Sequence, residues 1–95
     1  EDDRGRMISL DRVAVLATVG NEDGAHHVAA DAYQALSDVG FTVPANAQTY
    51  WVGPARGSTD YQDLDDTPDD LASTTATAAR QAAHLARLLQ ADPYP

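Results

Sequence analysis

Apolar positions in the first half of the chain follow two different periods. The run Val13–Val19 is short, continuous and rich in β-branched residues, which predicts a strand that is buried on both faces of a parallel sheet and ended by Gly20. From Ala25 onwards, apolar residues recur every three or four positions and predict an amphipathic helix, with Gly40 at the place of a left-handed C-terminal cap. The predicted buried stripe of this helix comprises Val28, Ala32, Leu36 and Val39, with Ala29 and Ala35 beside it.

The second half of the chain repeats the alternation of strand and helix. Phe41–Val43 predicts a short strand, which ends at Pro44 because proline cannot donate a hydrogen bond to the ladder. The glycines, prolines and acids around the sequence TYWVG and up to Asp70 predict a long irregular segment. Thr67 and Pro68 then predict the N-cap and the first residue of a second helix. Its predicted stripe is Leu71, Thr75, Ala78, Ala82, Leu85 and Leu89, and Pro93 ends the helix.

The order strand, helix, strand, helix predicts an α/β fold with two parallel strands and a right-handed crossover. Residues 1–12 form a polar lead, 13–92 the structured unit and 93–95 a tail. Two strands are only part of a sheet, because a parallel sheet is covered by helices on both faces. The sequence therefore leaves three alternatives for the remaining half: it is lost, it comes from a partner, or the fold is marginal without it.

Composition narrows the classes of partner. Six basic residues stand against fifteen acidic ones, and the net charge is −9. Such a chain repels phosphate backbones, so we expect neither nucleic acid nor an anionic membrane as a partner. The chain has no cysteine, which favours a reducing cytoplasm, and its longest apolar run is too short to span a bilayer.

Several residues of types that often bind metals or cofactors stand in patterns that give little support to such a site. The spacing of His26, His27 and His84 fits no zinc pattern, and the aspartates from Asp60 to Asp70 lack the order of a calcium loop, so we expect no metal site. No residue is expected to be catalytic. Tyr50 and Trp51 are neighbours in an extended segment and should point to opposite sides, where they either pack in the core and rim or border a cofactor or a subunit contact.

Three longer stretches of the sequence also resemble a known protein family. The stretch ATVGNEDGAHHVAADAYQALSDVGFTVPANAQTYWVG, with DYQDLDDTPDD and TTATAARQAAHLARLL after it, resembles the C-terminal half of the flavodoxin-like NADPH-dependent FMN reductase family. That family is related to the multimeric flavodoxin-type quinone oxidoreductases. The resemblance implies a partial three-layer flavodoxin-like sandwich that contains the last two strand–helix units of five.

The resemblance also implies a site and an activity. The loop after the first strand of this chain takes the place of the loop that runs along the isoalloxazine ring of FMN. The implied cofactor-binding residues are Thr18, Val19, Gly20, Asn21, Glu22, Asp23 and Gly24. The implied reaction passes a hydride from NAD(P)H to FMN and then electrons to a quinone or another small-molecule acceptor. Because the phosphate loop of that family is absent from this chain, we expect the isolated chain to be inactive and to bind FMN very weakly or not at all.

Two alternatives remain open at this point. Without the resemblance, the glycine-bracketed loop is more simply a turn that caps a helix through Asn21 or Asp23. The alternative function is a non-enzymatic βαβα interaction module that forms a homo-oligomer through its open sheet edge.

Overall fold

The computed structural model describes residues 1–20, 24–53 and 59–95. It contains the strand β1 (Leu16–Gly20), the helix α1 (Ala25–Asp38), the strand β2 (Gln48–Val52), the short 3₁₀ helix η1 (Tyr61–Asp63) and the helix α2 (Asp69–Ala91). The strands β1 and β2 are parallel and pair in register from Leu16 opposite Gln48 to Gly20 opposite Val52. This arrangement is the predicted α/β fold, a part of a flavodoxin-like sandwich.

The two helices lie on opposite faces of the strand pair. On β2, the ring of Tyr50 packs against His26 of α1, whereas the preceding residue, Thr49, shares a hydrogen bond of 2.7 Å with Thr75 of α2. Because successive side chains of a strand point to opposite faces, these contacts put one helix on each side of the sheet. The result is the three-layer order helix, sheet, helix.

The second strand is not where the sequence pattern put it. Phe41–Val43 was predicted to be a strand, but Thr42 makes only an isolated parallel bridge with Val13. Thr42 accepts a bond from Ala14 N–H and donates one to Arg12, and Pro44 then follows without an N–H to extend the ladder. The strand forms instead at 48–52, where Thr, Tyr, Trp and Val favour extended backbone.

The helix α1 ends at the predicted glycine. Gly40 has φ +104°, its N–H bonds to the carbonyl of Ser37, and the N–H of Phe41 bonds to the carbonyl of Leu36. These two bonds form a Schellman motif, so the predicted left-handed cap is confirmed. The predicted buried stripe is only partly right, because Val28 and Val39 are exposed and the buried row begins with Ala25 and Ala29.

The helix α2 begins one residue later than predicted. Pro68 occupies the N-cap position instead of the first helical position, and Asp69 and Asp70 supply negative charge to the first turn. The predicted stripe is confirmed at its two buried members, Ala78 and Leu89.

The polar lead and the tail contact each other. Asp11 Oδ1 accepts a 2.7 Å hydrogen bond from Tyr94 N–H, and Arg6 Nη1 donates one of 3.0 Å to the carbonyl of Tyr94. Ser9 donates a hydrogen bond to the carbonyl of Val39 at the end of α1. The lead therefore packs on the body of the molecule. Across the described ranges, no helix is both long and apolar enough to cross a membrane.

Candidate functional site

The predicted flavin-facing residues gather at the carboxyl edge of the strand pair, as far as the structure describes them. Thr18, Val19 and Gly20 form the end of β1, and Gly24 is the N-cap residue of α1. The residues between them, Asn21, Glu22 and Asp23, were also predicted to contact the flavin and lie outside the described residues. Ligands of open α/β sheets bind beyond the carboxyl ends of the strands, so this edge is the place to look for a site.

A depression of about 470 Å³ lies at this edge. Val19 and Gly20 form one wall, and the segment around η1 forms the other with Asp60, Tyr61 and Gln62. The carboxylate of Asp63 accepts a 3.0 Å bond from Asp60 N–H, and this bond closes the turn that presents Tyr61. Sequence reasoning missed Tyr61, because between Asp60 and Asp70 it considered only the aspartates and gave no weight to the single aromatic residue among them.

Two aromatic residues connect the depression to the sheet. The rings of Trp51 and Tyr61 meet edge to face, with centroids 5.8 Å apart, which is a favourable geometry for an aromatic pair. Tyr50 points to the other face, so the predicted opposite orientation of Tyr50 and Trp51 is confirmed. A Cβ atom on Gly53 would come within 2.9 Å of the Trp51 ring. A glycine at position 53 therefore allows the indole to lie where it meets Tyr61.

The glycines of the predicted loop differ in what they contribute. The carbonyl of Gly20 accepts a 2.9 Å bond from Gly53 N–H, so this carbonyl belongs to the strand ladder. Gly24 has φ −123°, which any residue adopts, and a Cβ atom there would meet no atom within 4 Å. Among the described residues, no atom therefore blocks the approach of a ligand to the backbone at Gly24. The N-cap residue is Gly24, which has no side chain. The capping alternative named Asn21 and Asp23, which lie outside the described residues.

The charge around the depression is negative. Among the described residues that line the depression, Asp60 is the charged one and none is basic. Arg56 lies outside the described residues. Among the described residues, no three histidine or acidic side chains gather closely enough to hold a metal. His27 Nε2 lies 3.7 Å from Asp31 on the exposed face of α1. The described part of the edge can hold an uncharged aromatic ring but offers no cation to a phosphate.

A larger groove of about 600 Å³ runs beneath α2. The sheet side is formed by Ala17, Val19 and Trp51, and the helix side by residues such as Ala76 and Ala79. This groove follows the space between helix and sheet, which side chains fill in complete α/β folds. We therefore take the depression at the carboxyl edge as the candidate ligand site and treat the groove as a packing surface.

The comparisons with known proteins point to flavin phosphates. 8-Demethyl-8-aminoriboflavin-5'-phosphate synthase from Streptomyces davaonensis is 40% identical over 84 residues, which are 87% of this chain and 33% of that protein. The crystal structure of RosB with the bound intermediate 8-demethyl-8-formylriboflavin-5'-phosphate superimposes with a TM-score of 0.88 at 37% identity. That match covers 99% of this chain and 38% of the RosB chain. The chain thus spans about a third of the length of the curated relative.

These findings correct the family and the activity expected from the sequence. No protein-family model matches the chain. The similar proteins are a synthase of a modified riboflavin phosphate and RosB, so the assignment to the NADPH-dependent FMN reductases is wrong. The expected hydride transfer from NAD(P)H through FMN to a quinone is wrong for the same reason. Neither similar protein supports the non-enzymatic interaction module.

Proposed function

We propose that this chain forms the ring-facing wall of an enzyme that acts on riboflavin 5'-phosphate or an analogue modified on the ring. The observation that carries the proposal is the similarity to RosB, which spans 99% of this chain and comes from a structure with a bound flavin phosphate. The curated relative agrees, since its name also specifies a riboflavin phosphate altered at position 8.

The geometry of the carboxyl edge suits the isoalloxazine part of such a ligand. The depression is bounded by the apolar side chain of Val19 and the ring of Tyr61, and flat aromatic ligands bind in clefts that are mostly apolar. Tyr61 is held by its edge-to-face contact with Trp51, so its ring is positioned before a ligand arrives. Asn21, Glu22 and Asp23 stay predicted contacts.

The phosphate of the ligand needs groups from elsewhere in the enzyme. None of the described residues that line the depression is basic, and the chain carries a net charge of −9. A phosphate near this edge would be repelled by Asp60 instead of attracted. The chain alone should therefore discriminate poorly between a flavin with the phosphate and one without it.

Titration of the isolated chain with riboflavin and with riboflavin 5'-phosphate tests this proposal. We expect both to bind weakly, with a Kd on the order of 1 mM, which corresponds to about 4 kcal/mol. The two Kd values should agree within about twofold, because the chain contributes ring contacts only. Amide chemical shifts should move at Val19, Gly20 and Tyr61.

A pair of variants locates the ligand. Tyr61→Leu should raise the Kd for riboflavin about fivefold, the equivalent of about 1 kcal/mol of aromatic contact. Tyr94→Leu is the matched control, because Tyr94 contacts Thr42 and Asp11 at the opposite edge of the sheet. Shifts confined to the surroundings of Tyr94, or no shifts at millimolar flavin, would refute the proposed site. If riboflavin 5'-phosphate bound tenfold more tightly than riboflavin, this chain would contact the phosphate as well as the ring, and the proposal that the phosphate is bound elsewhere in the enzyme would be wrong.

A further inference from the structure

A carboxylate borders the candidate flavin site. Asp60 lines the depression at the carboxyl edge together with the apolar side chain of Val19 and the ring of Tyr61. Asp60 is exposed, so water screens its charge, but none of the described lining residues is basic and able to neutralise it. An ionised carboxylate accepts hydrogen bonds and donates none. The edge of a ligand that faces Asp60 must therefore supply hydrogen-bond donors.

The turn at η1 fixes the backbone that carries this carboxylate. Asp60 has extended backbone, with φ −91° and ψ 161°. Its N–H donates a 3.0 Å bond to the carboxylate of Asp63, and its carbonyl accepts a 3.0 Å bond from Asp63 N–H. Asp60 also stands at the N-cap of η1, and because a carboxylate has about four acceptor positions, capping leaves some of them for a ligand. The acceptor is therefore in place before a ligand binds.

The opposite wall of the depression leads to groups of the reverse kind. Val19 and Gly20 form that wall, and α1 begins at Ala25, shortly after Gly20. The first N–H groups of a helix have no partner within the helix and carry partial positive charge. The N-cap residue is Gly24, which has no side chain to offer them. Hydrogen-bond donors therefore follow one wall of the depression, and an acceptor stands on the other.

The two edges of an isoalloxazine ring differ in the same sense. The pyrimidine edge presents two carbonyl oxygens with a single N–H between them, so a carboxylate that accepts from this N–H also meets the negative ends of both carbonyls. The benzenoid edge of riboflavin carries methyl groups, which donate no hydrogen bond. An amino group on that edge offers two N–H donors with no acceptor beside them. Its lone pair is conjugated with the pyrimidine carbonyls, which leaves the nitrogen partly positive.

We propose that Asp60 makes the site selective for flavins that carry an amino group on the benzenoid edge. The amino group donates to the carboxylate of Asp60, and the pyrimidine carbonyls point toward the N-terminus of α1. Asp60 is thus a specificity-determining residue. The inference rests on the proposed function, because it takes a ring-modified riboflavin phosphate as the ligand of this depression. It adds the class of substituent and the residue that recognises it.

Titration of the chain with two flavins that differ at one ring position tests this assignment. The probes are 8-demethyl-8-aminoriboflavin 5'-phosphate and riboflavin 5'-phosphate, so the ratio of their Kd values cancels any effect of the shared phosphate. The amino flavin should bind about fivefold more tightly, because a hydrogen bond to an exposed carboxylate contributes less than one to a buried carboxylate. In Asp60→Asn, which keeps the shape of the side chain and loses its charge, this preference should fall below about twofold.

Asp66→Asn is the matched control. It removes the same charge from the same segment, and Asp66 does not line the depression. A change in the general field of the chain acts on both flavins alike. The preference for the amino flavin should therefore stay at about fivefold in this variant.

The visible spectrum of the bound amino flavin gives a second measurement. A carboxylate that accepts from the amino group makes its nitrogen a better electron donor to the conjugated ring. The amino flavin should therefore absorb at longer wavelength when it is bound to the chain than when it is free. This shift should be absent with Asp60→Asn and present with Asp66→Asn.

Three results would overturn the inference, and they differ in what they say of the proposed function. If Asp60→Asn weakens the binding of both flavins equally, Asp60 contacts a part that they share, and the selectivity is wrong. If Asp60→Asn changes neither Kd but Tyr61→Leu raises both, the flavin binds in the depression without a contact to Asp60, and the inference alone fails. If neither flavin binds, or Tyr61→Leu changes neither Kd, the proposed site and the inference fail together.

Discussion

Substitution of Gly40 by alanine tests whether the polar lead is part of the folded structure. Gly40 has φ +104°, and a Cβ atom there would lie 2.6 Å from Ser9 Oγ and 3.2 Å from Met7 Cβ. Alanine at this position would therefore be strained in its backbone and would also collide with the lead. The collision would displace the hydroxyl of Ser9 from the carbonyl of Val39, to which it now donates.

The cost has three contributions of known size. A left-handed backbone costs a residue with a Cβ about 1–2 kcal/mol. Loss of the Ser9 hydrogen bond costs about 1 kcal/mol. Alanine also lowers the entropy of the unfolded chain, which stabilises the variant by about 0.4–1 kcal/mol. We expect Gly40→Ala to lower the free energy of unfolding by about 2 kcal/mol.

Gly5→Ala is the matched control. Gly5 also has positive φ, +75°, but a Cβ atom there would meet nothing within 4 Å. Only the backbone strain applies, and after the entropy gain the expected loss is about 1 kcal/mol or less. Urea unfolding followed through the fluorescence of Trp51, the single tryptophan of the chain, gives both values. Equal losses in the two variants would refute the packing of Met7 and Ser9 on the end of α1.

Two further substitutions probe buried groups. The hydroxyl of Tyr33 is buried without a hydrogen-bond partner among the described residues, and burial raises the pKa of Tyr33 above its usual value of 10.0. Tyr33→Phe should therefore stabilise the fold by about 1 kcal/mol in a urea titration. It should also remove the loss of stability that sets in as the pH rises above about 10. The control Tyr94→Phe removes a hydroxyl bonded to Thr42 and should not stabilise the fold. Gly53→Ala should displace the Trp51 ring, which lies 2.9 Å from the new Cβ, and should shift the emission maximum of Trp51. The free energy of unfolding should fall by about 1–3 kcal/mol. An unchanged emission spectrum would contradict the contact between Gly53 and Trp51.

Local patterns predicted the helices well, because their signals lie within a few residues of each other. The C-terminal cap at Gly40 and the buried positions Ala78 and Leu89 follow from spacing alone. The position of β2 could not be predicted in this way, because Phe41–Val43 and Gln48–Val52 both have residues that favour strands. The choice between them depends on pairing with β1, which is a contact between distant parts of the chain.

The site could be predicted only in part for a related reason. The resemblance named Thr18, Val19 and Gly20 as flavin contacts, and these residues form the carboxyl end of β1, where ligands of open α/β sheets bind. Their contact with a flavin stays a prediction. Tyr61 reaches the same edge through a turn within an irregular segment, and no periodicity marks such a residue. The predicted burial of β1 on both faces was wrong for Ala17 and Val19, because burial depends on neighbours that this chain does not supply.

The contact between Tyr94 and the residues Arg6 and Asp11 has a practical consequence for engineering. It brings both ends of the unit together at the amino edge of the strands, away from the carboxyl edge where the candidate site lies. If the unit is inserted into a longer host protein, its two junctions therefore lie next to each other. A short linker from position 94 to position 6, with new ends opened elsewhere in the chain, would give a circular permutant. An affinity tag or fluorophore at either original end would lie away from the carboxyl edge.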